Sequence, residues 1–371
     1  MPSADILPSL DCLLVTYPIE SVQAGVLEQL RKAFKVVHFY PGGDGSGTPT
    51  EYEEVLPPAE IYEQADVILA QDVPENLVDI SQTPRLKLWQ VFASGTQQIV
   101  ESAFVRSIPS DRRLAISNLA GVHAVSIAEH VMMTTLMHCH QMNKCLEMSS
   151  RAHWAGPTEL GGLFIREIRG MTFGILTYGA IAREIARLAT AFGARIIVCT
   201  RDGCKKPQQG YRVVGCGDPD GSLPAEYYTT EKESLHTFLS ASDVVVNMMP
   251  ASSSTYRFIG RDELVAMKDN ALFVNAGRGT TVDQEALVEA LSLKLPRTGK
   301  PGSLAIGGAA LDVTDPEPLP DGHPLFSLPN AIITPHCSYA SERFYSRVVE
   351  VVLQNKALLE AGGGVLNVVK W

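Results

Sequence analysis

The chain has 371 residues, is 45% hydrophobic and 19% charged, and carries a formal net charge of −10. That apolar fraction excludes a disordered chain, and the length favours two domains. An acidic balance without a basic run excludes nucleic acid and an anionic membrane as main partners, so an anionic small ligand would need locally concentrated positive charge.

The N-terminal residues lack the basic region, apolar stretch and cleavage site of a signal peptide. The longest helical-looking stretch, 125–148, contains Glu129, His130, His138, His140 and Lys144, which is too polar to span a bilayer. The seven cysteines form no CxxC pair and are odd in number, so they read as reduced thiols, with the cytoplasm as the expected compartment.

Short β-branched runs predict strands at 12–16, 36–39, 67–70, 88–92 and 115–117, with helical stretches between them such as 22–33. After the single helix predicted over 125–148 the rhythm restarts, with strands at 172–176, 195–199, 244–247, 272–275, 309–312 and 331–334. A last helix is predicted over 341–361. Alternating strands and helices predict parallel sheets covered by helices, and two such sets predict two α/β domains. The segment 201–230, rich in Gly, Pro, Lys and Asp, reads as an insertion after the second strand of the second set.

The stretch from Gly170 has the strand, tight turn, amphipathic helix and second strand that a dinucleotide fingerprint requires. Its turn reads Thr177-Tyr178-Gly179-Ala180-Ile181-Ala182 against G-x-G-x-x-G/A. Gly179 lets the backbone approach a pyrophosphate and Ala182 is small enough for helix–strand packing, but Thr177 stands where the first Gly is normal. An ordinary βα turn is the alternative. At the end of the next strand an NAD site carries an acid, whereas here neutral Thr200 precedes Arg201, with Lys205 and Lys206 behind. That removes repulsion of a 2′-phosphate and supplies a bidentate donor, which points to NADP(H) over NAD(H). The alternatives are that Asp202 supplies the acid, or that these cations are only a solvated loop.

Three segments at predicted strand ends carry candidate chemistry: NAGRGTTVD with Arg278, LDVTDPEPLP with Glu317, and ITPHCSYAS with His336. Open α/β sheets bind ligands at such ends. An Arg can pair a substrate carboxylate and polarise the adjacent carbonyl. A His can protonate the oxygen that becomes a hydroxyl, and a Glu on its other nitrogen favours the charged ring and orients it. Singly, each reads more plainly as a surface cation, a solvated acid or a structural His.

These stretches, with FASGT (92–96), NLAGVHAVSIAEHV (118–131) and GAALDVTDPEP (308–318), resemble the D-isomer-specific 2-hydroxyacid dehydrogenase family in order along nearly the whole chain. The resemblance implies two doubly wound parallel-sheet domains, a Rossmann-type nucleotide domain (122–335) inserted into a discontinuous flavodoxin-like substrate domain (1–121 and 336–371). It implies a reductase of a small 2-oxo acid, giving the D-(R)-2-hydroxy acid; the residues at 200–206 add the preference for NADP(H), with NAD(H) as the alternative. Arg278 would bind the 2-oxo acid, Glu317 assist, and His336 donate the proton. Ser94, Gly95 and Trp154 would contact substrate, although for Trp154 packing at a helix end is an equal alternative. Tyr178, Gly179, Ala180, Ile181, Thr200, Arg201, Met249, Pro250, Ala276, Gly277 and Asp312 would line the cofactor. Tyr17 and Tyr339 would help to bound the side-chain pocket.

The same resemblance implies a homodimer through the nucleotide domain. His138 and His140 at i, i+2 on the predicted helix point apart and make a poor metal pair, so no metal is expected. Glu317, rather than Gln, disfavours the formate dehydrogenase branch. Two departures stand out: Thr177, and the length of 201–230. The first is the support for a competing reading, a nucleotide-sensing binding protein of the corepressor type.

Overall fold

In a computed structural model, residues 9–17, 25–40, 55–160, 165–293 and 298–371 are described. Residues 22–24 of the first predicted helix, and residues 1–8 and 18 of the N-terminal stretch read for a signal peptide, lie outside them. Among the described residues no helix is long and apolar enough to cross a membrane.

The chain forms two compact units: residues 1–122, 209–212 and 342–371 form one, and 123–208 with 213–341 the other. The first holds a parallel sheet of β1 (Cys12–Val15), β2 (Val36–Phe39), β3 (Val67–Ala70), β4 (Leu88–Val91) and β5 (Ala115–Ser117), in the order β2-β1-β3-β4-β5. All four residues of β1, β3 and β4 are buried, as strands of a parallel sheet covered on both faces are; β1 and β3 are continuous apolar runs, and β4 carries the polar Gln90. The final helix, Phe344–Glu360, belongs to this unit through Asn355, whose Nδ2 donates to Gln90 Oε1 at 2.9 Å and Ser117 Oγ at 3.0 Å. Val348, Val349, Val351 and Val352 on that helix are buried, each contributing about 1.5–3 kcal/mol of transfer free energy.

The second unit holds β6 (Thr172–Leu176), β7 (Arg195–Thr200), β8 (Glu226–Thr229), β9 (Val244–Asn247), β10 (Leu272–Asn275), β11 (Gly308–Leu311) and β12 (Ala331–Ile333). They run parallel in the order β12-β11-β10-β9-β6-β7-β8, which is the doubly wound arrangement with the strand order reversing beside β6. The helix Ala180–Ala191 buries Ala182, Ile185, Ala186 and Ala189 against this sheet.

Two local expectations are corrected. The predicted helix over 125–148 is two helices, Ala124–Cys139 and Met142–Ser150, parted at Gln141, whose φ of 55° is left-handed and cannot continue a helix. The insertion is not structureless: Glu226–Thr229 pairs with Ile197–Thr200 as the edge strand β8. A four-residue, half-exposed edge strand with one outward acid gives little apolar periodicity.

Candidate active site

The second unit collects most of the candidate residues at the carboxyl ends of its strands. β10 ends at Asn275, inside a buried amide network. Asn247 Nδ2 donates to Asn275 Oδ1 at 3.1 Å and Thr281 Oγ1 at 2.7 Å, and Asn275 Oδ1 accepts from Gly277 N at 3.2 Å. The network fixes the turn that carries Arg278. A Cβ on Gly279 would lie 1.8 Å from Thr314 O and one on Gly277 2.8 Å from Met249 O, so both glycines are required for close backbone approach. Arg278, between them, is exposed, with Nη1 donating to Gly277 O at 2.7 Å. Asn247 and Thr281 went unnoticed in the sequence because neutral amides and hydroxyls carry no motif; only their place at strand ends marks them.

The loops after β11 and β12 meet through Asp312 and His336. His336 Nδ1 is hydrogen-bonded to Glu317 Oε1, and its ring stacks edge-on against Tyr339, with centroids 5.7 Å apart. Its backbone φ is 47°, an uncommon conformation held by His336 N donating to Asp312 O at 2.9 Å. Asp312, expected among the cofactor contacts, is 3% exposed and commits both carboxylate oxygens to this loop. They accept from Thr334 Oγ1 at 2.6 Å, Cys337 N at 3.1 Å, Ser338 N at 3.2 Å and Ser338 Oγ. Burial pushes this carboxyl up, but the Ser338, Thr334 and Cys337 hydrogen bonds and the nearby His130 outweigh it and hold it below the usual range.

The nucleotide turn after β6 is ordered. Thr177 has φ 67°, with N donating to Cys199 O at 2.9 Å and Oγ1 to Met248 O at 3.0 Å. Tyr178 is buried and its hydroxyl donates to Asp218 Oδ2 at 2.8 Å, so only its backbone faces the turn's ligand side. A Cβ on Gly179 meets no heavy atom within 4 Å, and the 12-residue helix beginning at Ala180 directs its first N–H groups, those of Ala180 and Ile181 included, to the same place. These features fit a pyrophosphate. Met249 and Ala276 are buried; Pro250 O accepts from Thr255 Oγ1 at 2.7 Å.

At the end of β7, Thr200 Oγ1 accepts from Gly203 N at 3.1 Å, and Asp202 is paired with Lys206 and accepts from Cys204 N at 3.2 Å. Arg201 is exposed and has no ion pair among the described residues.

In the first unit Ser94 and Gly95 are exposed after β4, and among the described residues neither amide donates a hydrogen bond. Tyr17 stacks on Phe92 in that unit with centroids 3.9 Å apart. Trp154, in the second unit, is 95% exposed, so among the described residues it does not pack at a helix end.

Strand order and the turn after β6 define a doubly wound α/β unit of the nucleotide-binding kind. Residues 132–338 match the family model described as D-isomer specific 2-hydroxyacid dehydrogenase, NAD binding domain, and the chain belongs to that family. A glyoxylate reductase of Aeropyrum pernix is 30% identical over 85% of this chain and 84% of its own. The glycerate dehydrogenase of Methylorubrum extorquens is 29% identical over 84% and 89%. The fold is shared with a D-isomer specific 2-hydroxyacid dehydrogenase from Xanthobacter autotrophicus solved with NADPH and MES, at TM-score 0.69, 22% identity and 98% of each chain.

Proposed function

We propose that this enzyme reduces a small 2-oxo acid to the D-(R)-2-hydroxy acid with NADPH in preference to NADH. The observation that carries the reading is the His336–Glu317 hydrogen bond, made in one unit whose paired strands also present an exposed Arg278. Relatives named glyoxylate reductase and glycerate dehydrogenase support the substrate class. The bound nicotinamide supplies hydride chemistry. Arg278 pairs with the substrate carboxylate and polarises the keto group. His336 uses Nε2 to donate a proton to the carbonyl oxygen, while Glu317 on Nδ1 fixes the tautomer and the ring plane. In the first unit, the Ser94 and Gly95 amides offer two donors to a carboxylate.

The NADPH preference is supported by the residues after β7. Arg201 is exposed while Asp202, the alternative acid for a ribose hydroxyl, is already engaged by Lys206. Arg201→Ser lowers the NADPH-to-NADH ratio of kcat/KM by about tenfold or more, the worth of a charge-assisted phosphate contact. An unchanged ratio removes Arg201 from the site. The reading of a homodimer rests on Met133, Met142, Leu146 and Ile165, exposed apolar side chains on and beyond the paired helices of the second unit.

A further inference from the structure

The insertion after β7 is pinned at both ends by buried hydrogen bonds. At its nucleotide end, Arg183, 4% exposed, donates to Tyr178 O at 3.1 Å, Lys206 O at 2.7 Å and Asp218 O at 2.6 Å. One guanidinium therefore joins the pyrophosphate turn, the loop that follows Arg201, and the Asp218 turn. Gln208 N donating to Pro219 O at 2.7 Å closes the base of the hairpin-like excursion.

At its tip, residues 209–212 fold as part of the first unit. Tyr211 is 1% exposed there, its hydroxyl donating to Glu350 Oε2 at 2.6 Å and its N–H to Asn367 Oδ1 at 2.9 Å. Gly210 has φ 79° and a Cβ there would lie 2.1 Å from Asn367 Oδ1, so the tip is built for this contact. Asn367 then donates from Nδ2 to Asn118 O at 3.0 Å and Ala120 O at 2.9 Å, and Asn118 Nδ2 donates to Ser94 O at 3.0 Å. Every link from the Tyr211 tip to Ser94 is a direct hydrogen bond within the first unit. A chain excursion whose only purpose was to cover solvent would not need a fully buried tyrosine, a carboxylate acceptor and a steric demand for glycine at its tip.

We propose that residues 201–221 are a coupling strap: Tyr211 and Asn367 are positioning residues through which the state of the nucleotide loop sets the geometry of the Ser94–Gly95 substrate loop. The proposal rests on the reading of that loop as a carboxylate site and of the turn after β6 as a nucleotide site. By linkage, a ligand that orders one end of such a strap orders the other.

Hydrogen exchange with NADPH as the probe tests it, using wild type and Tyr211→Phe, which removes only the hydroxyl. In wild type, NADPH slows exchange in peptides covering 178–184 and 118–122. In Tyr211→Phe the slowing persists at 178–184 but falls by about threefold or more at 118–122. Equal slowing at 118–122 in both proteins overturns the strap. Absence of slowing at 178–184 in wild type defeats the nucleotide reading instead. The strap is then judged on the ligand-free proteins, where Tyr211→Phe or Gly210→Ala accelerates exchange at 118–122 and unchanged exchange overturns it. In turnover with glyoxylate, Tyr211→Phe raises the KM of the 2-oxo acid about threefold or more with kcat within about twofold, a split that general destabilisation does not give.

Discussion

At Thr177 three effects of similar size compete. A β-branched residue at φ 67° costs about 1–2 kcal/mol, while its Oγ1 bond to Met248 O returns about 1 kcal/mol. Thr177→Gly relieves the strain, loses the bond and adds about 0.5–1 kcal/mol of unfolded-state entropy, so its unfolding free energy stays within about 1 kcal/mol of wild type. Thr177→Ala keeps the strain and loses the bond, and falls by about 1 kcal/mol. Urea unfolding of both variants checks this, and a Gly variant more than 2 kcal/mol away from wild type would show that the turn is held otherwise. The departure from the glycine fingerprint, legible in sequence, is thus a hydroxyl doing locally what the missing glycine leaves undone. Arg278, Glu317 and His336 were equally legible, since each sits in a short run at a strand end. Asp312 was legible as a residue, but its partners were not: Ser338 and Thr334 lie more than twenty positions away, and no periodicity predicts a carboxylate latch.

The elements show the same division. Strands with four buried apolar residues, such as β1 and β3, announce themselves, whereas β8 and the left-handed break at Gln141 depend on a neighbour strand and on one backbone angle. The insertion is organised around Asp218, which accepts from Tyr178 OH at 2.8 Å, Ser222 N at 3.0 Å and Leu223 N at 3.0 Å. Burial raises its pKa, but the Leu223 and Ser222 amides, the Tyr178 hydroxyl and Arg183 together hold it below the usual range. A depressed folded value means that this stability is present in full above the unfolded Asp value of about 3.9 and is lost as pH falls through the folded one. His130, held low by burial against the opposing Asp312 charge, adds an earlier loss. Its contribution is complete above about 6.5 and declines as pH drops below that. The urea midpoint therefore declines in two stages on acidification. Asp218→Asn costs about 1–3 kcal/mol at pH 7 and flattens the second stage; an acid limb identical to wild type would remove Asp218 as its source.

For the whole molecule, the final helix lies beside the first sheet, tied to it through Asn355. Residues 209–212 fold with the first unit too, so that the chain passes between the units four times. Two such passages are implied by an inserted domain; the other two flank residues 209–212, whose anchoring hydrogen bonds through Tyr211 have no sequence signature. The net charge is −10, while Arg278 and Arg201 are exposed and, among the described residues, the Ser94 and Gly95 amides donate no hydrogen bond; these are the proposed anion contacts of an acidic chain. In the proposed reaction His336, oriented by Glu317, gives the proton. NADPH oxidation with glyoxylate and hydroxypyruvate, followed in parallel with NADPH binding by fluorescence, tests it most directly. Wild type oxidises NADPH in the presence of a 2-oxo acid, and His336→Asn binds NADPH as wild type does but turns over about 10²–10⁴-fold more slowly. Binding without oxidation in the wild type would make the protein a nucleotide sensor, and unimpaired turnover in His336→Asn would contradict the assigned proton donor.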